Sequence, residues 1–123
     1  MDPERVVRDF CETVARLDLE ALIGFFTEDA VYHNIPMEPV HGHAEIESTL
    51  AQFMSPGGEA SFDITALAVN GNKVLTERVD ILSMGGKRIE IGVMGVFEIT
   101  PEGKISAWRD YFDRQQVTSQ LAG

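Results

Sequence analysis

"KVLTERVDIL", Lys73 to Leu82, is built from the β-branched and aliphatic residues that favour a pleated, half-buried strand. Arg78 and Asp80 sit inside it, two residues apart. Side chains alternate across a strand, so Thr76, Arg78, Asp80 and Leu82 share one face. Leu75, Glu77, Val79 and Ile81 share the other. One reading leaves the charges in water on an ordinary amphipathic strand, which suits the usual exposure of charged residues. The other carries a buried ion pair into a cavity. Spacing alone leaves both open.

The strand pattern continues on either side. "ASFDITALAVN" precedes it across Asn70-Gly71-Asn72, a strong hairpin signal. Gly85-Gly86 turns the chain into "KRIEIGVMGVFEIT", and Pro101 to Gly103 turns it into "KISAWRDYFD". The first part of the chain is helical in character. Asp2 can cap, Pro3 suits a first turn and Glu4 favours the positive helix end. Val6, Val7, Phe10, Val14 and Leu17 then recur at helical spacing. A second helix is expected after Asp18, with Leu19, Leu22, Ile23 and Phe26 on one side. "EDAVYHNIP" reads as a strand stopped by Pro36, and "MEPVHGHAEI" as a loop. "HAEIESTLAQFM" reads as a helix through Ile46, Leu50 and Phe53, broken by "SPGGE". The polar tail "RQQVTSQLAG" reads as a short helix or a disordered end.

Helices first and an antiparallel meander last predict an α+β fold, a single domain over residues 1–123. Long strands with internal glycines, Gly92 and Gly95, predict a strongly curved, mostly antiparallel sheet. N-terminal helices covering such a sheet make a cone with an internal pocket, a natural place for a small molecule.

Composition narrows the partners. The chain is 44% hydrophobic and 24% charged, with a formal net charge of −10. That balance is globular and offers no basic surface for nucleic acid. No apolar run approaches the roughly 20 residues of a membrane span. The charged start "MDPERVVRDF" is unlike a signal peptide. Cys11 is the sole cysteine, so no internal disulfide can form, and a cytoplasmic location is expected. His33, His41 and His43 lack companion ligands at a usual metal spacing, so no metal site is expected.

The last strand is the most informative. In "SAWRDYFD", Trp108, Asp110 and Phe112 share a face. Burying Trp108 and Phe112 buries Asp110 with them, and a buried carboxylate needs a partner. Arg78 is the best candidate, because a meander brings inner faces together. In "VYHNI", Tyr32 and Asn34 also share a face.

Taken together, "VYHNIP", "TERVDIL", "GVFEIT" and "GKISAWRDYFD" resemble the limonene-1,2-epoxide hydrolase family, from about Phe10 to Asp113. The resemblance implies the NTF2-like (SnoaL-like) cone and a cofactor-independent hydrolysis of an apolar, alicyclic or lipid-like epoxide to a vicinal diol. It maps Asp80, Arg78 and Asp110 onto the family's Asp-Arg-Asp triad, and Tyr32 and Asn34 onto the pair that holds the water. Asp110 would then be the general base, Asp80 the acid and Arg78 the group that orients both. It also implies a homodimer through the outer sheet face. Two departures could alter how the pocket is roofed: a shorter segment before the first helix, and the tight Gly85-Gly86 hairpin.

The chemistry suits those groups. Epoxide opening needs one carboxylate to take a proton from water and one carboxylic acid to give a proton to the leaving oxygen. Two aspartates around one arginine in a low-dielectric pocket favour the state in which one acid keeps its proton. Met37, Phe53, Leu82, Met84, Ile91, Val93, Trp108 and Phe112 are the expected substrate-pocket residues, with Ile89 and Phe97 on the same inner face. Other activities share this shape. A ketosteroid-isomerase-like enzyme would want a tyrosine on an early helix, and none is present there. A polyketide-cyclase-like enzyme and a noncatalytic binding module remain alternatives.

Overall fold

The computed structural model describes residues 2–54 and 57–122. Helix α1 (Pro3–Val14) starts on Asp2, whose carboxylate accepts from the Glu4 amide at 3.1 Å. Its buried face is Val6, Val7, Phe10, Cys11 and Val14, the 3.6-residue pattern that the sequence predicts. Helix α2 (Leu19–Ile23) is capped by Asp18 and is a single short turn. Phe26 does not belong to it. The chain leaves the helix at Gly24, and Phe26 opens strand β1 (Phe26–Ile35). The segment expected as a loop holds a two-residue strand β2 (Val40–His41), after which α3 (Gly42–Ala51) begins. Phe53 lies just past the end of α3. Of the "SPGGE" stretch expected to break that helix, Ser55 and Pro56 lie outside the described residues.

The meander follows as β3 (Ser61–Asn70), β4 (Lys73–Met84), β5 (Lys87–Ile99) and β6 (Ile105–Tyr111). Gly71, Gly85, Gly86 and Gly103 take positive φ in its turns, a conformation that glycine adopts without strain. The tail resolves into helix α4 (Arg114–Ala122). The sheet order is β2-β1-β6-β5-β4-β3. Every pairing is antiparallel except β1 with β6, which run parallel. This gives a curved, unclosed α+β sheet with helices on its inner side.

The core lies between α1, α3 and the concave face. Phe10 sits at its centre, edge-on to Phe26 at 5.5 Å and to Trp108 at 5.1 Å. Trp108, Phe97, Ile89 and Ile105 are fully buried around it. Burying such side chains contributes about 1.5–3 kcal/mol each. Among the described residues no helix is long and apolar enough to cross a membrane.

Candidate active site

Strand β4 alternates exposed and buried residues, and the buried set is Val74, Thr76, Arg78, Asp80 and Leu82. The charged face therefore looks inward. Register then assembles the site. Gly95 of β5 pairs with Thr76 of β4 on one side and Asp110 of β6 on the other. In the parallel pair, Tyr32 lies opposite Trp108 and Asn34 opposite Asp110. Residues far apart in the chain thus meet on one patch of the concave face.

At its centre is Arg78, 1% exposed. Its Nε and Nη2 donate to the two oxygens of Asp80 at 3.0 and 2.8 Å. Its Nη1 and Nη2 donate to the two oxygens of Asp110 at 3.1 and 2.8 Å. The remaining Nη1 hydrogen goes to the Thr76 hydroxyl at 3.2 Å. All five guanidinium N–H groups are thereby used, and the plane is fixed. The Phe62 ring lies 4.6 Å below the guanidinium carbon, adding a cation–π contact in a desolvated place.

Gly95 makes this arrangement possible. A Cβ at that position would overlap the Asp110 carboxylate and the Arg78 guanidinium. In the sequence, Gly95 reads only as a bend; its role as the hollow beneath an ion cluster follows from cross-strand register. Thr76 was legible as a member of the same face but carried no charge to mark it.

Electrostatics separates the groups. Burial, reinforced by the Asp110 charge, pushes Asp80 up to about 6 against the pull of Arg78. Burial works against the charge of Arg78, and the two carboxylates more than offset it, so the guanidinium is held protonated still more firmly than usual. Burial and then the Asp110 charge push Tyr32 well above the usual phenol range, eased slightly by the neighbouring Asn34 amide.

Above the cluster is a cavity of about 290 Å³, at the small end of the usual range for small-molecule sites. Tyr32, Asn34, Asp80 and Asp110 form its polar end. Met37, Phe53, Leu82, Met84, Ile91, Val93 and Phe112 line it as the sequence predicts. Trp108 does not. It is fully buried behind the cluster, stacked on Tyr32 at 4.0 Å, with its Nε1 donating to Asp110 at 2.7 Å. Ile89 and Phe97 also lie in the core rather than the wall, because the curved sheet turns those positions under α1. Sequence reasoning missed Phe62, Thr49 and Gln52, and the contribution of α4 through Arg114, Val117, Thr118 and Leu121. The spacing of Val117 and Leu121 was the available signal in an otherwise polar tail.

Helix α4 covers β5 beyond the end of β6. The Gln120 side chain accepts from the Glu90 amide and donates to the Glu90 carbonyl, both at 2.8 Å. Lys87 donates to the Leu121 carbonyl at 2.6 Å. His43 donates through Nε2 to the Phe26 carbonyl, and His33 through Nε2 to the Met37 carbonyl. Among the described residues no group of His, Cys, Asp and Glu is placed to hold a metal.

A curved, unclosed sheet with a buried Asp-Arg-Asp cluster at the foot of an apolar cavity is an NTF2-like architecture. The model of the limonene-1,2-epoxide hydrolase catalytic domain matches residues 1–123, and the chain belongs to that family. It is 32% identical over 109 residues to epoxide hydrolase EphG of Mycobacterium tuberculosis (strain ATCC 25618 / H37Rv), covering 87% of this chain and 70% of that protein. Its structure matches that of an M. tuberculosis LEH-like epoxide hydrolase with a TM-score of 0.81 and 31% identity, over 97% and 89% of the two chains. It also matches SalBIII, an epoxide hydrolase/cyclase-like enzyme of pyran ring formation in the polyether salinomycin. There the TM-score is 0.84, the identity 21% and the coverage 93% and 92%, a likeness of fold.

Proposed function

We propose that this protein adds water to an apolar, alicyclic or lipid-like epoxide and releases a vicinal diol in one step. The observation that carries this reading is the shared guanidinium: Arg78 binds both Asp80 and Asp110 with two hydrogen bonds each, under an apolar cavity. A water between Tyr32, Asn34 and Asp110 gives its proton to Asp110 as its oxygen bonds to a ring carbon. The carbon–oxygen bond of the epoxide breaks, and that oxygen takes the proton of Asp80. The cycle closes when the proton on Asp110 leaves and Asp80 regains one from solvent. No charge is created in the cluster overall, which suits a low-dielectric site. Each acid or base contributes roughly 10²–10⁴-fold.

The test is incubation with limonene oxide, cyclohexene oxide and longer-chain epoxides in ¹⁸O-labelled water. Diol with one labelled oxygen is expected. Asp80→Asn and Asp110→Asn are each expected to lose turnover, by at least about a hundredfold, while remaining folded by circular dichroism. An unlabelled cyclic ether from a hydroxy-epoxide, with no diol, would instead point to attack by a hydroxyl of the substrate.

A homodimer belongs to the same proposal. Leu75, Met94 and Tyr111 are large apolar residues exposed on the outer side of β4, β5 and β6. Met94→Glu is expected to shift a dimer to monomer in sedimentation velocity.

A further inference from the structure

Trp108 sits behind the catalytic cluster, and its surroundings fix its orientation. The indole lies between Tyr32 and Phe97, at 4.0 and 5.3 Å and tilted by 10° and 16°. Phe10 closes the edge at 5.1 Å. Held this way, Nε1 meets Oδ1 of Asp110 at 2.7 Å. An indole nitrogen only donates.

The two aspartates therefore differ in their donors. Asp110 accepts two hydrogen bonds from Arg78 and a third from Trp108. Asp80 accepts two from Arg78. Donors stabilise the ionised form of a carboxyl group. Besides Arg78 and Trp108, no described side chain donates directly to Asp110, Asn34 opposite it on β1 included. Arg78 on β4 is shared equally with Asp80. Cys11 on α1 is pushed up to about 12 by burial, and burial raises Tyr32 on β1 as well, so both are neutral. Gly95 on β5 has no side chain to offer, and Thr76 is bound to Arg78.

We propose that the Trp108 N–H decides which aspartate keeps the shared proton, holding Asp110 as the carboxylate that activates water and leaving the proton on Asp80. Trp108 is a positioning residue: it acts through Asp110 and does not line the cavity. The consequence for turnover rests on the hydrolase reading above. The proton assignment itself does not.

Because Trp108 is the only tryptophan, it can be replaced throughout the protein by 3-benzothienylalanine, which keeps the ring shape and puts sulfur where the N–H was. Trp108→Phe is the genetic counterpart. In both, kcat is expected to fall on the order of ten- to a hundredfold, the size of one hydrogen bond to a charged group, with KM unchanged. The acidic limb of the pH–rate profile should move to higher pH. The carboxyl ¹³C signal of Asp80, assigned with Asp80→Asn, is expected to titrate at lower pH in the analogue than in the native protein. An analogue with native kcat and native pH profile would overturn the proposal. So would unchanged carboxyl titrations, a result that stands even if no epoxide is turned over. In the unmodified protein the single indole N–H resonance should stay far downfield while Asp80 takes up its proton. An upfield jump in that range would also overturn it.

Discussion

Strand β6 carries two ion pairs on adjacent residues, and they face opposite ways. Asp110 points inward to Arg78 at 2.8 Å, with side chains 5% and 0% exposed. Arg109 points outward to Glu98 at 2.7 Å, with both side chains 28% exposed. The distances are alike and the consequences are not. The outer pair is partly screened by water and contributes about 0–1 kcal/mol. The inner cluster takes one guanidinium and two carboxyl groups out of water, a cost of several kcal/mol for each that is charged, which the attraction only partly offsets. A hydrophobic trio of similar volume would serve folding at least as well. An Asp-Arg-Asp cluster under a cavity is therefore better explained by chemistry than by stability.

Breaking the inner side should have the largest effect. Arg78→Leu leaves two buried carboxylates facing each other. A loss of about 3–5 kcal/mol in urea unfolding is expected, together with complete loss of diol formation. Gly95→Ala tests the same cluster without touching its charge. The added methyl group must displace Arg78 and Asp110. Overpacking of this kind costs about 1–3 kcal/mol, and turnover should fall well over tenfold, read from steady-state rates beside a denaturant curve.

The pH dependence sharpens the contrast. Asp80 is pushed from an ordinary 3.8 up to about 6. The folded state therefore binds this proton more tightly than the unfolded chain. As far as Asp80 is concerned, stability is greatest below about pH 4 and falls as pH rises through about 6, by about 3 kcal/mol in all. Unfolding curves between pH 4 and 7.5 check this, and Asp80→Asn should flatten the slope. Turnover should likewise decline above about pH 6, as the acid loses its proton. Arg109→Ala on the outer face should do least: under about 1 kcal/mol in stability, with kcat unchanged.

The sequence made much of this visible because alternation is a local signal. Thr76, Arg78, Asp80 and Leu82 were bound to share a face, as were Trp108, Asp110 and Phe112. Direction was less visible: nothing in a period of two says which face is wet, and only the flanking Trp108 and Phe112 and the family resemblance pointed inward. Trp108 was misplaced for a related reason. Sharing a face with Asp110 puts it on the concave side, but the stacking of Tyr32 and Phe97 over it depends on three strands at once. Leu22 and Phe26 fit helical spacing, which points Phe26 into α2, but the helix ends at Gly24 and Phe26 opens β1. The four wall residues of α4 were hidden by a polar tail whose anchor, Gln120, bonds to backbone of another strand.

The parallel pairing of β1 with β6 sets an order of assembly. Tyr32 and Asn34 belong to the first strand, yet their neighbours Trp108 and Asp110 belong to the last. During synthesis β1 cannot complete this ladder until β6, Ile105 to Tyr111, has left the ribosome. Non-local pairing of this kind slows folding.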